Sequence, residues 1–128
     1  MAKGMATVIG RRKMCRAHAG DQALPVIMYM AFGDGGVDSS GAVIEPAGDE
    51  TALRHELMRK EIEGHRYVNE DETTCRYRVR LAQSELACQS ISEQGLYDSD
   101  GDLVGYKTFL PKGKDGDMEF IFDMDEIF

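Results

Sequence analysis

The sequence has no tryptophan and contains only three prolines and three cysteines among its 128 residues. Cys15, Cys75 and Cys88 are odd in number and far apart, which argues against a disulfide framework and against a paired zinc site. We therefore expect reduced thiols, most of them buried. No apolar run approaches the roughly 20 residues that a membrane helix needs, so the sequence predicts no membrane insertion.

Positive charge is also scarce, because the chain carries a net charge of −8. Affinity for nucleic acid depends on a clustered positive surface, so we expect no nucleic-acid partner. Residues 1–30 are mainly basic, whereas residues 115–128 are acidic without a cation. Such opposed ends favour head-to-tail contact between subunits, and two solvated surfaces are the alternative. Arg11, Arg12 and Lys13 stand where a signal peptide needs its apolar region, which predicts retention in the cytosol.

The residues that are present suit one globular domain over residues 1–128. Apolar residues make up 42% and charged residues 30% of the chain, which is too apolar for a disordered protein. A domain of this size can hide roughly 65% of the surface that its unfolded chain exposes. A hydrophobic core is therefore expected.

Two helices are predicted. The first covers residues 7–19, with Thr7 as its N-cap and Gly20 as its stop. The second covers residues 50–64, where Asp49 can cap the first turn and one face is apolar, formed by Leu53, Leu57, Met58 and Ile62. We expect this second helix to pack on a sheet.

About five strands are predicted, at residues 26–32, 74–82, 91–98, 103–109 and 118–124. The 74–82 strand alternates, so that Arg76, Arg78 and Arg80 face away from its apolar side and form a surface that could dock an acidic partner or remain solvated. An Asp-Gly turn joins the 91–98 and 103–109 strands into a hairpin. The pattern as a whole predicts an α+β fold, with about two helices packed on a mostly antiparallel sheet.

The remaining motifs give little support for chemistry. The Asp98-Ser-Asp-Gly-Asp102 stretch resembles a calcium loop only superficially, because its glycine is fourth rather than sixth, and a β-turn is the favoured interpretation. The Gly33-Asp-Gly-Gly36 stretch lacks the lysine of a phosphate-binding loop. The histidines and cysteines show no metal-ligand spacing, although a cysteine–histidine nucleophile pair could still assemble in space. We predict no cofactor and no metal.

Four stretches taken together resemble the N-terminal domain of phage tail-collar fibre proteins. They begin at Thr7, Met30, Leu53 and Ile91 and read TVIGRRK, MAFGDGG, LRHEL and ISEQGLYD. The resemblance implies a structural component of a phage or prophage tail that attaches fibre or collar parts to the baseplate, located in the virion tail and made in the bacterial cytoplasm. It also implies structural or interaction roles for the matching residues, which are Gly33, Gly35, Gly36, Glu93, Gly95, Asp98, Gly101 and Asp102.

The sequence therefore leaves two functions open. The leading hypothesis is a structural protein without enzymatic activity, whose partners are other tail or baseplate proteins and which can form a homotrimer in the assembled fibre. The alternative is a small ligand-binding or hydrolytic domain that uses residues 33–48 as a lid over a pocket. Because this glycine-rich loop has few apolar anchors, we expect it to be mobile until a partner orders it.

Overall fold

β-Strands dominate the computed structural model, which describes residues 3–128. These residues form one helix and eight strands: β1 (Lys3–Ala6), α1 (Val8–His18), β2 (Ile27–Gly33), β3 (Glu56–Glu61), β4 (Gly64–Tyr67), β5 (Thr74–Leu81), β6 (Gln89–Asp98), β7 (Leu103–Lys114) and β8 (Phe120–Ile127). The larger sheet has the order β1-β7-β6-β2-β3, and the smaller sheet has the order β4-β5-β8. Every strand pair in both sheets is antiparallel.

The two sheets face each other across the main core. Both contribute apolar side chains to it, among them Phe32 of β2, Val79 of β5 and Phe122 of β8. The rings of Phe32 and Phe122 have their centroids 4.9 Å apart, a tilted arrangement that suits their quadrupoles. Burying apolar area between the sheets is the main force that holds them together.

The larger sheet is covered on its other face as well. A second apolar cluster lies there, and in it Leu53 from the long segment between β2 and β3 packs against Ala31, Leu103 and Tyr106. All of residues 91–98 are buried as a result. A strand that is covered on both faces does not need to alternate, which explains the lack of alternation at this point of the sequence.

The predicted α+β fold with two helices on a sheet of about five strands is wrong. Residues 50–64 form no helix, and β3 pairs instead with the edge of β2, where Met30 lies opposite Lys60. The apolar residues taken for one helical face pack on different sides of the larger sheet, because Leu53 joins the outer cluster and Met58 joins the main core. Tertiary pairing overrides local helix preference here.

Other local predictions are confirmed. The helix α1 begins after Thr7, whose side-chain oxygen accepts a hydrogen bond from Gly10 N, and Gly20 follows its end with a φ of +81°. The alternation of β5 and the hairpin of β6 and β7 are also as predicted. The edge strands β1 and β4 were missed, and β7 continues to Lys114, beyond the predicted end at residue 109.

A glycine in β6 is required by packing. A Cβ atom at Gly95 would lie 2.6 Å from Leu103 Cδ1 and 2.7 Å from Leu53 Cδ1, whereas a Cβ at Gly113 of β7 meets nothing within 4 Å. We therefore expect Gly95→Ala to lower the free energy of unfolding by about 1–3 kcal/mol, because two buried leucines must move. Gly113→Ala is the matched control and should change it by less than about 0.5 kcal/mol in urea titrations. Equal effects would contradict this packing argument.

Candidate functional site

A buried carboxylate, that of Glu93 in β6, joins three separate parts of the chain. It accepts hydrogen bonds from the backbone N–H groups of Gly35, Arg54 and His55, at 2.8–2.9 Å, and from the hydroxyl of Tyr106 at 2.7 Å. Glu93 is fully buried. A buried charge is tolerated only when hydrogen bonds surround it. Here these hydrogen bonds fix both ends of the segment between β2 and β3 to the larger sheet.

The glycines of the Gly33-Asp-Gly-Gly36 stretch allow this close approach. A Cβ at Gly33 would lie 2.3 Å from the carbonyl oxygen of His55, and a Cβ at Gly36 would lie 1.9 Å from the carbonyl oxygen of Ser92. Gly36 N also donates to Ser92 Oγ at 2.9 Å. Two motifs almost sixty residues apart in sequence therefore meet in one cluster, and we name Gly33, Gly35, Gly36, Ser92 and Glu93 the loop clamp.

The hairpin turn holds a second cluster of charged groups. The carboxylate oxygens of Asp98, Asp100 and Asp102 lie within 4.8 Å of one another. Lys13 Nζ of α1 lies 2.6, 3.2 and 2.7 Å from them, respectively. Burial acts to lower the pKa of Lys13, but the hydrogen bonds to these carboxylates raise it above its ordinary value. The Lys13 ammonium group therefore occupies the position that a metal cation bound by these carboxylates would take. Gly101 forms the turn itself, with a φ of +88°.

The arginines of β5 face carboxylates of β8. Arg76 donates two hydrogen bonds to Asp125, and Arg78 donates two to Asp123. These contacts raise the pKa of Arg76 and lower the pKa of Asp123. The third arginine has a longer contact, because Arg80 Nη1 lies 3.8 Å from Glu119 Oε1. Asp123 and Asp125 of the acidic end are thus neutralised by β5, and Lys13 of the basic α1 is neutralised by the hairpin turn.

Cysteines and histidines do not form a nucleophile pair in the part of the chain that the structure describes. Cys75 is buried, but Cys15 and Cys88 are exposed, so the expectation of mostly buried thiols is wrong. His55 is hydrogen-bonded to Asp34 at the surface, and this contact raises the pKa of the imidazole. No cysteine–histidine hydrogen bond occurs among residues 5–128.

An open groove of about 990 Å³ lies between the two sheets beside α1. Its sides include Leu96 and Val104 of the larger sheet and Tyr77 of the smaller sheet. Glu126 of β8 also lines it and accepts a hydrogen bond from the Tyr77 hydroxyl at 3.0 Å. Burial raises the pKa of the Glu126 carboxyl.

The loop of residues 33–48 does not cover this groove. None of its residues is among those that line the groove in the described chain. Instead its two ends are attached to the larger sheet, at the loop clamp and through Thr108 Oγ1, which donates to Ile44 O. The alternative function with this loop as a lid gains no support from the arrangement. The exposed tip around Asp38 to Ala42 forms a turn in which Asp38 accepts the backbone hydrogen bonds. We now expect mobility only at this tip.

The comparisons with known proteins agree with the sequence motifs. The family model described as phage tail-collar fibre protein, N-terminal, matches residues 1–114. The chain belongs to this family. Searches of curated proteins and of solved structures gave no match.

Membership of the family makes the chain a structural component of phage tail fibres, a class not known as enzymatic, and indicates a virion tail location and association with other tail proteins. The resemblance stated from the sequence is thereby confirmed. No helix within residues 3–128 has both the length and the apolarity that crossing a bilayer requires.

The loop clamp generates the first prediction for this region. Glu93→Gln keeps the size of the side chain but removes the charge and points an amide donor at backbone donors. We expect the free energy of unfolding to fall by about 2–4 kcal/mol. Tyr106→Phe removes only one of the four hydrogen bonds and should cost about 1 kcal/mol. Urea titration of both variants measures the difference, and similar losses would show that the charge is not essential.

Glu126 generates a prediction about pH. Its folded-state pKa is raised, so ionisation opposes folding, and the native chain loses stability as the pH rises through and above the ordinary glutamate value. The glutamine in Glu126→Gln cannot ionise, and its amide oxygen still accepts a hydrogen bond from the Tyr77 hydroxyl. We expect this variant to melt at a higher temperature than the native chain at pH 7 and at nearly the same temperature at pH 4. A variant that is less stable at pH 7 would refute the assigned direction.

Proposed function

We propose that this chain attaches fibre or collar parts of a phage or prophage tail to the baseplate through protein–protein contacts on its surface. The observation that carries the proposal is the use of the family's motif residues inside the fold. Glu93 is surrounded by four internal hydrogen bonds, and Gly35 and Gly36 lie against it and Ser92. Residues that are hydrogen-bonded and packed in this way make the domain rigid. Rigidity suits a structural protein that must transmit mechanical load.

The arginine surface of β5 is one candidate contact. Arg80 has the longest ion pair of the three arginines and a side chain that is 57% exposed, so it is the most available to a partner. Replacing all three arginines by glutamate would set like charges opposite Asp123 and Asp125 and unfold the pairing. Arg80→Gln removes the most exposed of these charges and leaves the Arg76–Asp125 and Arg78–Asp123 ion pairs in place, so it is the sharper test of this surface.

Three copies in one fibre are part of the proposal. A trimer presents each attachment site three times, so that weak single contacts give strong binding when the copies are joined. The isolated chain can then be monomeric at low concentration and still function in the fibre. Light scattering of the purified chain measures its oligomeric state, with and without Arg80→Gln.

The test uses tail particles purified from the phage or prophage that encodes the chain, after deletion of its gene. We expect the labelled chain to bind these particles saturably. Fusion to a trimeric coiled coil should raise the apparent affinity by roughly 100-fold, and fusion to a monomeric mutant of the same coil should not.

Particles that already carry the chain are the matched control, because their sites are filled. Absence of binding to the deleted particles, by the single chain and by the trimeric fusion alike, would overturn the proposed function. Binding that is as strong to filled particles as to deleted ones would do so too, since it would be non-specific.

A further inference from the structure

The groove is lined by side chains that face the larger sheet without being covered by it. Along β4, β5 and β8, Tyr67, Tyr77 and Phe128 share the side of the buried Val79 and Met124, as strand alternation and the pairing register require. Yet Tyr67 is 54% exposed and Phe128 is 65% exposed. Met5, Leu24 and Val26 add further exposed apolar surface at the same groove. Concentrated apolar surface of this kind marks a binding site.

One side of the groove is an unpaired strand edge. Within residues 3–128, β8 pairs with β5 alone. Phe128 N donates to Thr73 O on the side of β8 that faces β5. Because residues alternate along an antiparallel ladder, the main-chain groups of Asp123, Asp125 and Ile127 point away from β5. All three of these residues line the groove. Within residues 3–128 no strand pairs with this edge, although Gln94 Nε2 donates to the carbonyl oxygen of Asp123.

The charges of the groove limit what can occupy it. Lys13 is paired with Asp98, and Arg76 is paired with Asp125, so the groove offers little net charge to an incoming segment. Symmetric pairing of two copies at this edge would lay β8 of the second copy beside β8 of the first. Antiparallel pairing of the two strands would then bring Asp123 and Asp125 close to the same carboxylates of the other copy, and like charges across strands are destabilising.

Building on the proposed function, we propose that the groove binds an extended segment of another tail protein, which adds to β8 as a fourth strand of the smaller sheet. Its apolar side chains enter the groove between the sheets, and its alternate side chains, polar or basic, lie beside Asp123 and Asp125. Main-chain hydrogen bonds supply affinity in this mode, and the groove supplies specificity. β8 and Phe128 lie outside the matched residues 1–114, so the family match does not cover this edge.

The edge is tested by one pair of variants. Ile127→Pro removes an N–H group that points away from β5 and leaves the ladder with β5 intact. Ile127→Thr is its matched control, because it shortens the side chain but keeps the N–H group. The probe is the tail particle purified after deletion of the gene for this chain. Proline should weaken binding at least about tenfold, and threonine should change it by less than about twofold.

The groove is tested by a second pair. Tyr67→Glu places a charge among the apolar side chains of the groove, whereas Leu110→Glu places the same charge at a residue that is 56% exposed and outside the groove. Only the Tyr67 variant should lose binding, again at least about tenfold. Circular dichroism establishes that each variant is folded, and if one variant of a pair fails to fold, the other pair decides.

The outcomes separate the two proposals. If the native chain does not bind the deleted particles, the proposed function fails. If the native chain binds and all four variants bind equally well, the proposed function stands and the groove proposal is overturned. If Ile127→Pro and Tyr67→Glu abolish self-association in light scattering but leave binding to the particles unchanged, the occupant is a second copy, which also overturns the proposal.

Discussion

The buried carboxylate of Glu93 is the contact on which the arrangement of the larger sheet depends. Without it the backbone N–H groups of Gly35, Arg54 and His55 would lose their acceptor, and the two ends of the segment between β2 and β3 would lose their shared attachment to β6. That segment carries Leu53 onto the outer face of the sheet. One charged side chain thus controls whether a whole apolar face is covered, since unpaired buried donors are costly.

Ion pairs within the fold neutralise several charges from the two ends of the chain. Lys13 links α1 to the hairpin turn through three carboxylates, and Arg76 and Arg78 link β5 to β8. Part of the basic beginning and part of the acidic end that are visible in the sequence therefore serve as internal contacts. The polarity expected to attract another subunit is reduced, and the apolar groove becomes the more distinctive surface of the molecule.

The sequence was informative where structural signals are local. Thr7 as an N-cap, the alternation of β5 and the Asp-Gly turn at Gly101 each depend on neighbouring residues, and each was predicted. β3 was mistaken for a helix because its strand character comes from pairing with β2, more than twenty residues earlier. Glu93 was recognised only as a family residue, since nothing near it in sequence shows that Gly35 and Arg54 are its partners.

The groove was beyond prediction for a similar reason. It is formed by residues of α1 and of both sheets, so it depends on how these elements pack rather than on any motif. The ending of the chain was noted only for its acidic charge, and the predicted strand stopped at residue 124, short of Ile127 and Phe128.

Amide hydrogen exchange of the native chain tests most directly whether the loop clamp fixes the frame. The account predicts that the amides of Gly35, Arg54 and His55 are protected to within about tenfold of the amides in the centre of β6, because opening any of them exposes the buried Glu93 carboxylate. The exposed tip at Ser39 should exchange far faster. If the three amides exchange as fast as Ser39, Glu93 does not fix this segment, and the account of the frame is wrong.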